Sequence, residues 1–252
     1  MDFTIKIYKK LLSELRNANY DFLTFSQYLK DPAERMVILR HDVDRKKYNS
    51  LAFARLQHDM GIRGTYYFRI VPESFDEKVI MEIAEMGHEI GYHYEDMDLA
   101  GGDADKAREL FVEHLKRFRK LAPVETICMH GSPLSKYDNK DLWKKYDYRD
   151  LDIIGEPYFD LDLDSFLYLT DTGRRWDGGR VSVRDKVEGK FSHSFRSTGQ
   201  IISALASGRM PDRIMFTFHP QRWSDHPYHW TYELIWQNTK NIIKKFFYVS
   251  KS

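Results

Sequence analysis

The chain has 252 residues, of which 42% are hydrophobic and 31% charged, and its formal net charge is +1. This length suits one large globular domain, so we expect a single domain over residues 1–252 with an irregular insertion at about 132–196. The basic and acidic residues are nearly balanced and dispersed, which argues against a nucleic-acid surface.

No stretch of the sequence is long and apolar enough to span a membrane, and the charged beginning of the chain does not resemble a signal peptide. The single cysteine, Cys128, excludes an internal disulfide framework, and we interpret it as a buried thiol. A reducing compartment suits such a chain, so we expect a cytoplasmic protein. The sequence gives no prediction of the oligomeric state.

Strand-like and helix-like segments alternate along most of the chain. Ile7, Leu11, Leu12 and Leu15 lie on one face of a predicted N-terminal helix. Buried strands are predicted at MVILRHD (36–42), GTYYFRI (64–70), HEIGYHY (88–94), VETICMHG (124–131) and IMFTFHP (214–220).

Helices are predicted between these strands. Gly61 and Gly87 act as helix stops, and Asp103 is a suitable N-cap for a long amphipathic helix. Helical patterning returns near 200–207 and again after Trp230. This alternation favours an α/β fold with a parallel sheet, either open or closed into a barrel.

Histidine and aspartate gather where four of the predicted strands end. These strand ends read RHDVD, YHYED, MHGSP and FHPQRW. Parallel α/β folds place their functional residues at the carboxyl ends of the strands. The sequence therefore predicts a polar site at that edge of the sheet.

Asp42 and Asp44 have the same parity, so in an extended segment they point to the same side. One carboxylate could bind a metal while the other acts as a base toward water. The alternative is a helix cap with a surface ion pair to Arg40, Arg45 or Lys46.

His93 and His130 each lie at the end of a predicted strand. His88 is an odd number of residues from His93 and would face the opposite side of the strand, so we expect it to have a packing or hydrogen-bonding role. Catalytic zinc takes three protein ligands and leaves one position open. Asp44, His93 and His130 would supply such a set, with Glu95 as a possible replacement ligand.

Two further groups are candidates for acid–base and substrate contacts. His219 could be a general acid, or simply a histidine at a strand end. Arg174 and Arg175 suit an anionic substrate group or the orientation of a carboxylate, and Trp176 suits stacking on a sugar ring. The alternative for this segment is a solvated loop with one anchored aromatic residue.

The order HDVD, TYYF and GHEIGYH resembles the polysaccharide deacetylase family, also called carbohydrate esterase family 4 or the NodB-homology domain. The resemblance covers about residues 36–95, with FTFHP as a late motif. It implies a distorted (β/α) barrel of about seven parallel strands. It also implies removal of acetyl groups from N-acetylated sugars with a divalent metal, most often Zn²⁺.

By this resemblance, Asp42 corresponds to the catalytic base, and Asp44 substitutes for the metal-binding aspartate. His93 corresponds to the first histidine of the metal pair, and His219 to the late histidine that acts as general acid. The second metal histidine would fall at Met97, a departure from the family pattern.

We therefore expect a metal-dependent hydrolase that deacetylates an N-acetylated sugar, with a nucleotide-linked or lipid-linked sugar fitting a cytoplasmic protein better than a finished polymer. One alternative is a hydrolase of non-sugar amides. Another is a barrel that has lost catalysis and only binds carbohydrate, which the departure at Met97 would favour.

Overall fold

A computed structural model of the chain describes residues 1–132, 135–176 and 194–244. The parts of the expected insertion at 133–134 and 177–193 lie outside the described residues. The strands are β1 (Asp21–Leu23), β2 (Met36–Val43), β3 (Thr65–Phe68), β4 (Glu89–Tyr94), β5 (Ile127–Met129), β6 (Leu167–Thr170) and β7 (Arg213–Phe218).

Nine helices accompany these strands in the described parts of the chain. They are α1 (Ile5–Asn17), α2 (Phe25–Lys30), α3 (Lys47–Asp59), α4 (Glu77–Glu85), α5 (Asp96–Leu99), α6 (Ala104–Arg119), α7 (Pro157–Asp160), α8 (Thr198–Ala206) and α9 (Pro227–Lys244). Short 3₁₀ turns lie at Asn139–Lys144, Tyr148–Leu151 and Pro220–Arg222. Among the described helices, none has the length and apolar character needed to cross a membrane.

The seven strands form one sheet in the order β5-β4-β3-β2-β7-β6, with β1 paired to the beginning of β2. Every pairing between these strands is parallel. The sheet curls into a distorted (β/α) barrel with helices around it, which confirms the expected fold and strand number. Within the described residues, no strand pairing joins β5 to β6.

Alternation along the central strand β2 explains how the barrel is filled. Its outward residues pack in the large apolar cluster between the sheet and the helices, and they are Val37, Leu39 and Val43. On the inward side, Met36 and Ile38 belong to a second apolar cluster, and Arg40 and Asp42 follow them. The barrel interior therefore changes from apolar to charged toward the carboxyl ends of the strands.

The predicted helices and strands are confirmed. The predicted N-cap Asp103 is confirmed as well, because its side chain accepts a hydrogen bond from the backbone N–H of Lys106. Two strands, β1 and β6, were not predicted. Strand β6 lies inside the segment that we expected to be irregular, and its residues Leu167 and Leu169 are buried. Because β6 spans only four residues in an aspartate-rich stretch, its pattern is too short to detect.

Candidate functional site

The carboxyl ends of four strands bring their polar residues to one place. Oδ1 of Asp44, just after β2, lies 3.6 Å from Nε2 of His93 and 3.6 Å from Nε2 of His130. Its other oxygen, Oδ2, lies 3.9 Å from Nε2 of His219. Asp42 Oδ2 lies 4.0 Å from Nε2 of His93. The structure thus gathers all five of these residues.

The two carboxylate oxygens of Asp44 differ in their surroundings. Oδ2 accepts a hydrogen bond from Nε2 of Gln221 at 2.9 Å. Oδ1 is buried and has no hydrogen-bond partner among the described residues, and a separation of 3.6 Å is too long for a hydrogen bond. Burying an unsatisfied carboxylate oxygen is costly, so Oδ1 suits a cation that is not part of the polypeptide.

Asp44 is nevertheless held in its charged form. Burial raises the pKa of its carboxyl, but the neighbouring imidazoles of His93, His219 and His130 outweigh that effect and hold the pKa well below its usual range. The carboxylate is therefore ionised at neutral pH and ready to act as a ligand.

The two histidines present their Nε2 atoms to Asp44, while each Nδ1 lies beside an oxygen atom on its other side. Nδ1 of His93 lies 2.9 Å from the backbone carbonyl oxygen of Cys128. Since a carbonyl only accepts, Nδ1 carries a proton, and in the neutral ring Nε2 is the atom with the lone pair. Nδ1 of His130 lies 2.9 Å from Oε2 of Glu95. The two rings are 5.2 Å apart and nearly perpendicular.

Glu95, considered above as a replacement ligand, positions His130 instead. Its carboxylate accepts two hydrogen bonds from Nη2 of Arg69, at 2.9 and 2.7 Å. Burial raises the pKa of Glu95, but His130 and Arg69 outweigh it and lower the pKa to about 2. Both carboxylate oxygens are thus engaged away from Asp44.

Asp44, His93 and His130 offer donors of the kinds that a divalent metal accepts, and two of their separations suit one. Tetrahedral zinc with donors about 2.1 Å away keeps those donors about 3.4 Å apart. The separations from Asp44 Oδ1 to the two imidazole nitrogens, 3.6 Å each, are close to this value.

A second set of donors shares His93. Ligand atoms of Asp42, His93 and Cys128 lie within 4.8 Å of one another. However, both oxygens of Asp42 already accept from Arg40, through Nε at 2.8 Å and Nη2 at 2.6 Å. Oδ1 of Asp44, which has no hydrogen-bond partner among the described residues, is therefore more available to a metal than the oxygens of Asp42.

The pair of Arg40 and Asp42 is buried, with 1% and 4% of the side chains exposed. It is therefore not the surface ion pair that the sequence left open. Burial raises the pKa of Asp42, but the charge of Arg40 outweighs it and brings the pKa below the ordinary value. Asp42 is thus an oriented, ionised carboxylate beside His93.

Asp171 orients His219 through its Nδ1 side. Nδ1 of His219 lies 2.6 Å from Oδ1 of Asp171, and Oδ2 accepts from the backbone N–H of His219 at 3.0 Å. Asp171 also accepts from Nη1 of Arg222 at 2.8 Å and from Nε1 of Trp223 at 2.6 Å. Burial raises the pKa of Asp171, but His219 and Arg222 outweigh it and lower that pKa. Nε2 of His219 consequently faces Asp44.

Trp176 does not fit the predicted stacking on a sugar. It is 3% exposed, and its indole N–H donates to Oγ1 of Thr198 at 2.9 Å. Its ring packs edge-on against Phe216 and Phe218 in the core. Because these contacts cover the ring, Trp176 is a core residue.

The two neighbouring arginines differ in how far they are exposed to solvent. Arg174 is 6% exposed and donates through Nη1 to the carbonyl oxygen of Trp230 on α9 at 2.8 Å. Arg175 is half-buried. The expected role of both in substrate binding stays a prediction.

Sequence reasoning missed Asp171 and Gln221 as site residues. Asp171 directly follows β6, so recognising that strand would have placed it at a strand end. Gln221 stands in the quoted FHPQRW stretch, but nothing in the pattern indicates its contact with Asp44. Met97, at the family's second histidine position, is buried in the apolar core. His88 bonds Gly64 N–H and the Ala54 carbonyl, as expected for a structural histidine.

No family model matches the chain, and no curated protein matches it. Among solved structures, the chain is similar to a CE4 family pseudoenzyme from Bacillus anthracis, with 12% identity and a TM-score of 0.46. That alignment covers 85% of this chain but 63% of the pseudoenzyme chain, so this chain spans less than two thirds of that protein's length.

Two esterases give similar values. A family 4 carbohydrate esterase from Bacillus anthracis has 10% identity and a TM-score of 0.43, covering 91% of this chain and 84% of its own. A Streptococcus mutans CE4 esterase has 11% identity and a TM-score of 0.44, covering 90% and 86%. The structural neighbours of this chain are thus CE4 carbohydrate esterases and a pseudoenzyme of that family.

Proposed function

We propose that the protein is a metal-dependent hydrolase that removes the acetyl group from an N-acetylated sugar or a sugar-containing precursor. The observation that carries this proposal is the free, buried oxygen Oδ1 of Asp44, which lies 3.6 Å from Nε2 of both His93 and His130. Asp42 Oδ2 lies 4.0 Å from Nε2 of His93, and Nε2 of His219 lies 3.9 Å from Oδ2 of Asp44.

Asp44, His93 and His130 would hold the ion. One carboxylate oxygen and two imidazole nitrogens form a ligand set that zinc accepts with one position left open. When bound, such an ion polarises an acyl carbonyl and lowers the pKa of a water molecule. The remaining chemistry depends on the side chains around it.

Asp42 acts as the proton acceptor. Its lowered pKa keeps it ionised at neutral pH, and the fork of Arg40 fixes its orientation while leaving further lone pairs on each oxygen. It accepts the proton that the attacking water loses. Before that transfer, the positive charge of Arg40 compensates the buried negative charge of Asp42.

His219 delivers a proton to the leaving amine. Asp171 fixes the proton on Nδ1 in the neutral ring and stabilises the imidazolium form, so that Nε2 is the atom that exchanges protons. Asp42, paired with Arg40, is thus the general base, and His219, paired with Asp171, is the general acid. The sugar class of the substrate rests on the sequence resemblance of the HDVD, TYYF and GHEIGYH motifs.

Two measurements on the purified full-length protein test this function. Zinc titration should show one tightly bound equivalent, and the loaded protein should release acetate from an N-acetylated sugar. No zinc uptake in excess zinc would contradict the proposal. Zinc binding without acetate release from any acetylated sugar would contradict the substrate class and favour a non-sugar amide.

A further inference from the structure

A wall of positive side chains borders the candidate site. Two of its members follow β2, one follows β6, one follows β7 and one lies on α9. The cationic wall is defined by Arg45, Lys46, Arg174, Arg222 and Lys240. Arg45 is adjacent in sequence to Asp44, and Nη1 of Arg222 lies 3.0 Å from Nδ1 of His219. Arg45 and Arg222 therefore adjoin the proposed reaction centre.

Helix α9 completes the wall because it lies along the turn that follows β6. Nδ2 of Asn241 donates to the carbonyl oxygen of Gly173 at 2.9 Å. Glu233, Gln237 and Lys240 are four and three residues apart, so they share one face of α9. Glu233 on that face accepts hydrogen bonds from Arg45 at 3.1 and 3.2 Å. Lys240 therefore faces the site side of α9.

The wall carries more positive charge than its neighbours neutralise. Glu233 is within 3.1 Å of Arg45 and 4.0 Å of Lys46, and Asp171 is within 2.8 Å of Arg222. Among the described residues, these are the two carboxylates in ion-pair contact with the five cations of the wall, so positive charge predominates in that part of the structure. Such an excess beside a site attracts an anionic ligand.

Within the wall, Arg174 combines burial, unpaired donors and an unfavourable backbone conformation. It is 6% exposed, and its Nε and Nη2 atoms are buried without hydrogen-bond partners in the described parts of the chain. Its backbone has φ 58°, in the left-handed region that residues other than glycine rarely adopt. Strain and unsatisfied donors of this kind persist at sites that serve a ligand.

One other arginine of the wall also has a free donor. Nε of Arg222 is also buried and unpaired among the described residues. Burial and the positive charge of Arg45 lower the pKa of Lys240, with Arg222 adding to this effect and Glu233 and Asp44 opposing it. An anion between these groups would offer acceptors to the free donors of Arg174 and Arg222.

We propose that the cationic wall binds a phosphate or pyrophosphate group that is attached to the acetylated sugar. This inference rests on the proposed function and names its substrate class as phosphorylated or diphosphate-linked N-acetylated sugars. Guanidinium groups match phosphate oxygens through paired N–H donors, and the cations of the wall attract the negative charge of a phosphate or pyrophosphate.

The test is calorimetric titration of the full-length protein with inorganic pyrophosphate at low ionic strength, with and without a metal chelator. The key variant is Lys240→Gln, because Lys240 is partly exposed and the substitution keeps its helix. Lys116→Gln on α6 is the matched control, an exposed lysine on another helix.

Pyrophosphate should bind to the wild type and to the control with or without chelator, and about tenfold more weakly to Lys240→Gln, as expected for one lost charge-assisted hydrogen bond. Equal affinity of the Lys240→Gln and control variants would overturn the proposal. So would binding that disappears with the chelator, because that anion would sit on a metal.

Substrate comparison then distinguishes the sources of the phosphate. Acetate release from N-acetylglucosamine 1-phosphate and UDP-N-acetylglucosamine should show a lower KM than release from N-acetylglucosamine, and Lys240→Gln should reduce that difference. A KM that is lowest for the neutral sugar would overturn the inference. Failure of the proposed function is distinct, since a protein without zinc or acetate release can still bind pyrophosphate.

Discussion

The imidazole of His219 is held by the carboxylate of Asp171, with Nδ1 and Oδ1 2.6 Å apart. Replacing Asp171 with asparagine removes the charge that stabilises the imidazolium and permits the wrong tautomer. We expect Asp171→Asn to lower kcat for acetate release by about 100-fold or more. An unchanged kcat in a variant with wild-type thermal stability would contradict the acid role of His219.

Gln221 holds Oδ2 of Asp44 and so fixes the direction of the free oxygen Oδ1. Groups that orient a metal ligand in this way typically change metal affinity when removed. We expect Gln221→Leu to weaken zinc binding about 10- to 100-fold, measured by competition with a zinc chelator. The control is Gln200→Leu, an exposed glutamine on α8, whose affinity should stay at the wild-type value. Equal zinc affinity in the two variants would exclude a role of Gln221 in positioning Asp44.

Arg40 and Asp42 form a buried pair, so removing one partner leaves the other uncompensated. We expect Arg40→Met to destabilise the fold by about 3–5 kcal/mol in urea unfolding. The double variant Arg40→Met/Asp42→Leu should recover much of that loss, because both buried charges are then absent. Additive losses in the double variant would show that the two side chains do not act as a pair.

His41 faces the helices on the outer side of β2, and burial lowers its pKa to about 3. The unfolded chain takes up this proton near pH 6.5, whereas the folded protein does so only near pH 3. Stability is therefore lost as the pH falls from about 6.5 toward 3, and the share of His41 at pH 5 is about 2 kcal/mol.

His41→Gln tests this pH dependence, because glutamine does not titrate. Urea unfolding from pH 7 to pH 4 should show a smaller loss of stability in this variant than in the wild type. His226→Gln, at an exposed histidine, is the control and should follow the wild type. The same pH slope in all three proteins would contradict the prediction.

The periodicity of β2 and the glycine stops were enough to predict most of the barrel. The rule that strand ends share one edge also predicted that Asp44, His93 and His130 would come together, which they do. These features are local in sequence or follow from parallel topology, so a single chain contains the information.

Other features depend on tertiary packing that no local pattern encodes. The burial of Trp176 requires Phe216 and Phe218, some forty residues away along the chain. The link between Asp171 and His219 spans 48 residues and needs the short strand β6 to be recognised. Likewise, the contact of Gln221 with Asp44 forms only because β7 pairs with β2.

The most direct test of the proposed metal site is zinc stoichiometry in single variants of its two donor sets. His130 belongs only to the set with Asp44, and Cys128 only to the set with Asp42. We expect the wild type and Cys128→Ser to bind one equivalent of zinc, and His93→Ala and His130→Ala to lose it. Retention of zinc by His130→Ala together with its loss from Cys128→Ser would contradict the site built on Asp44.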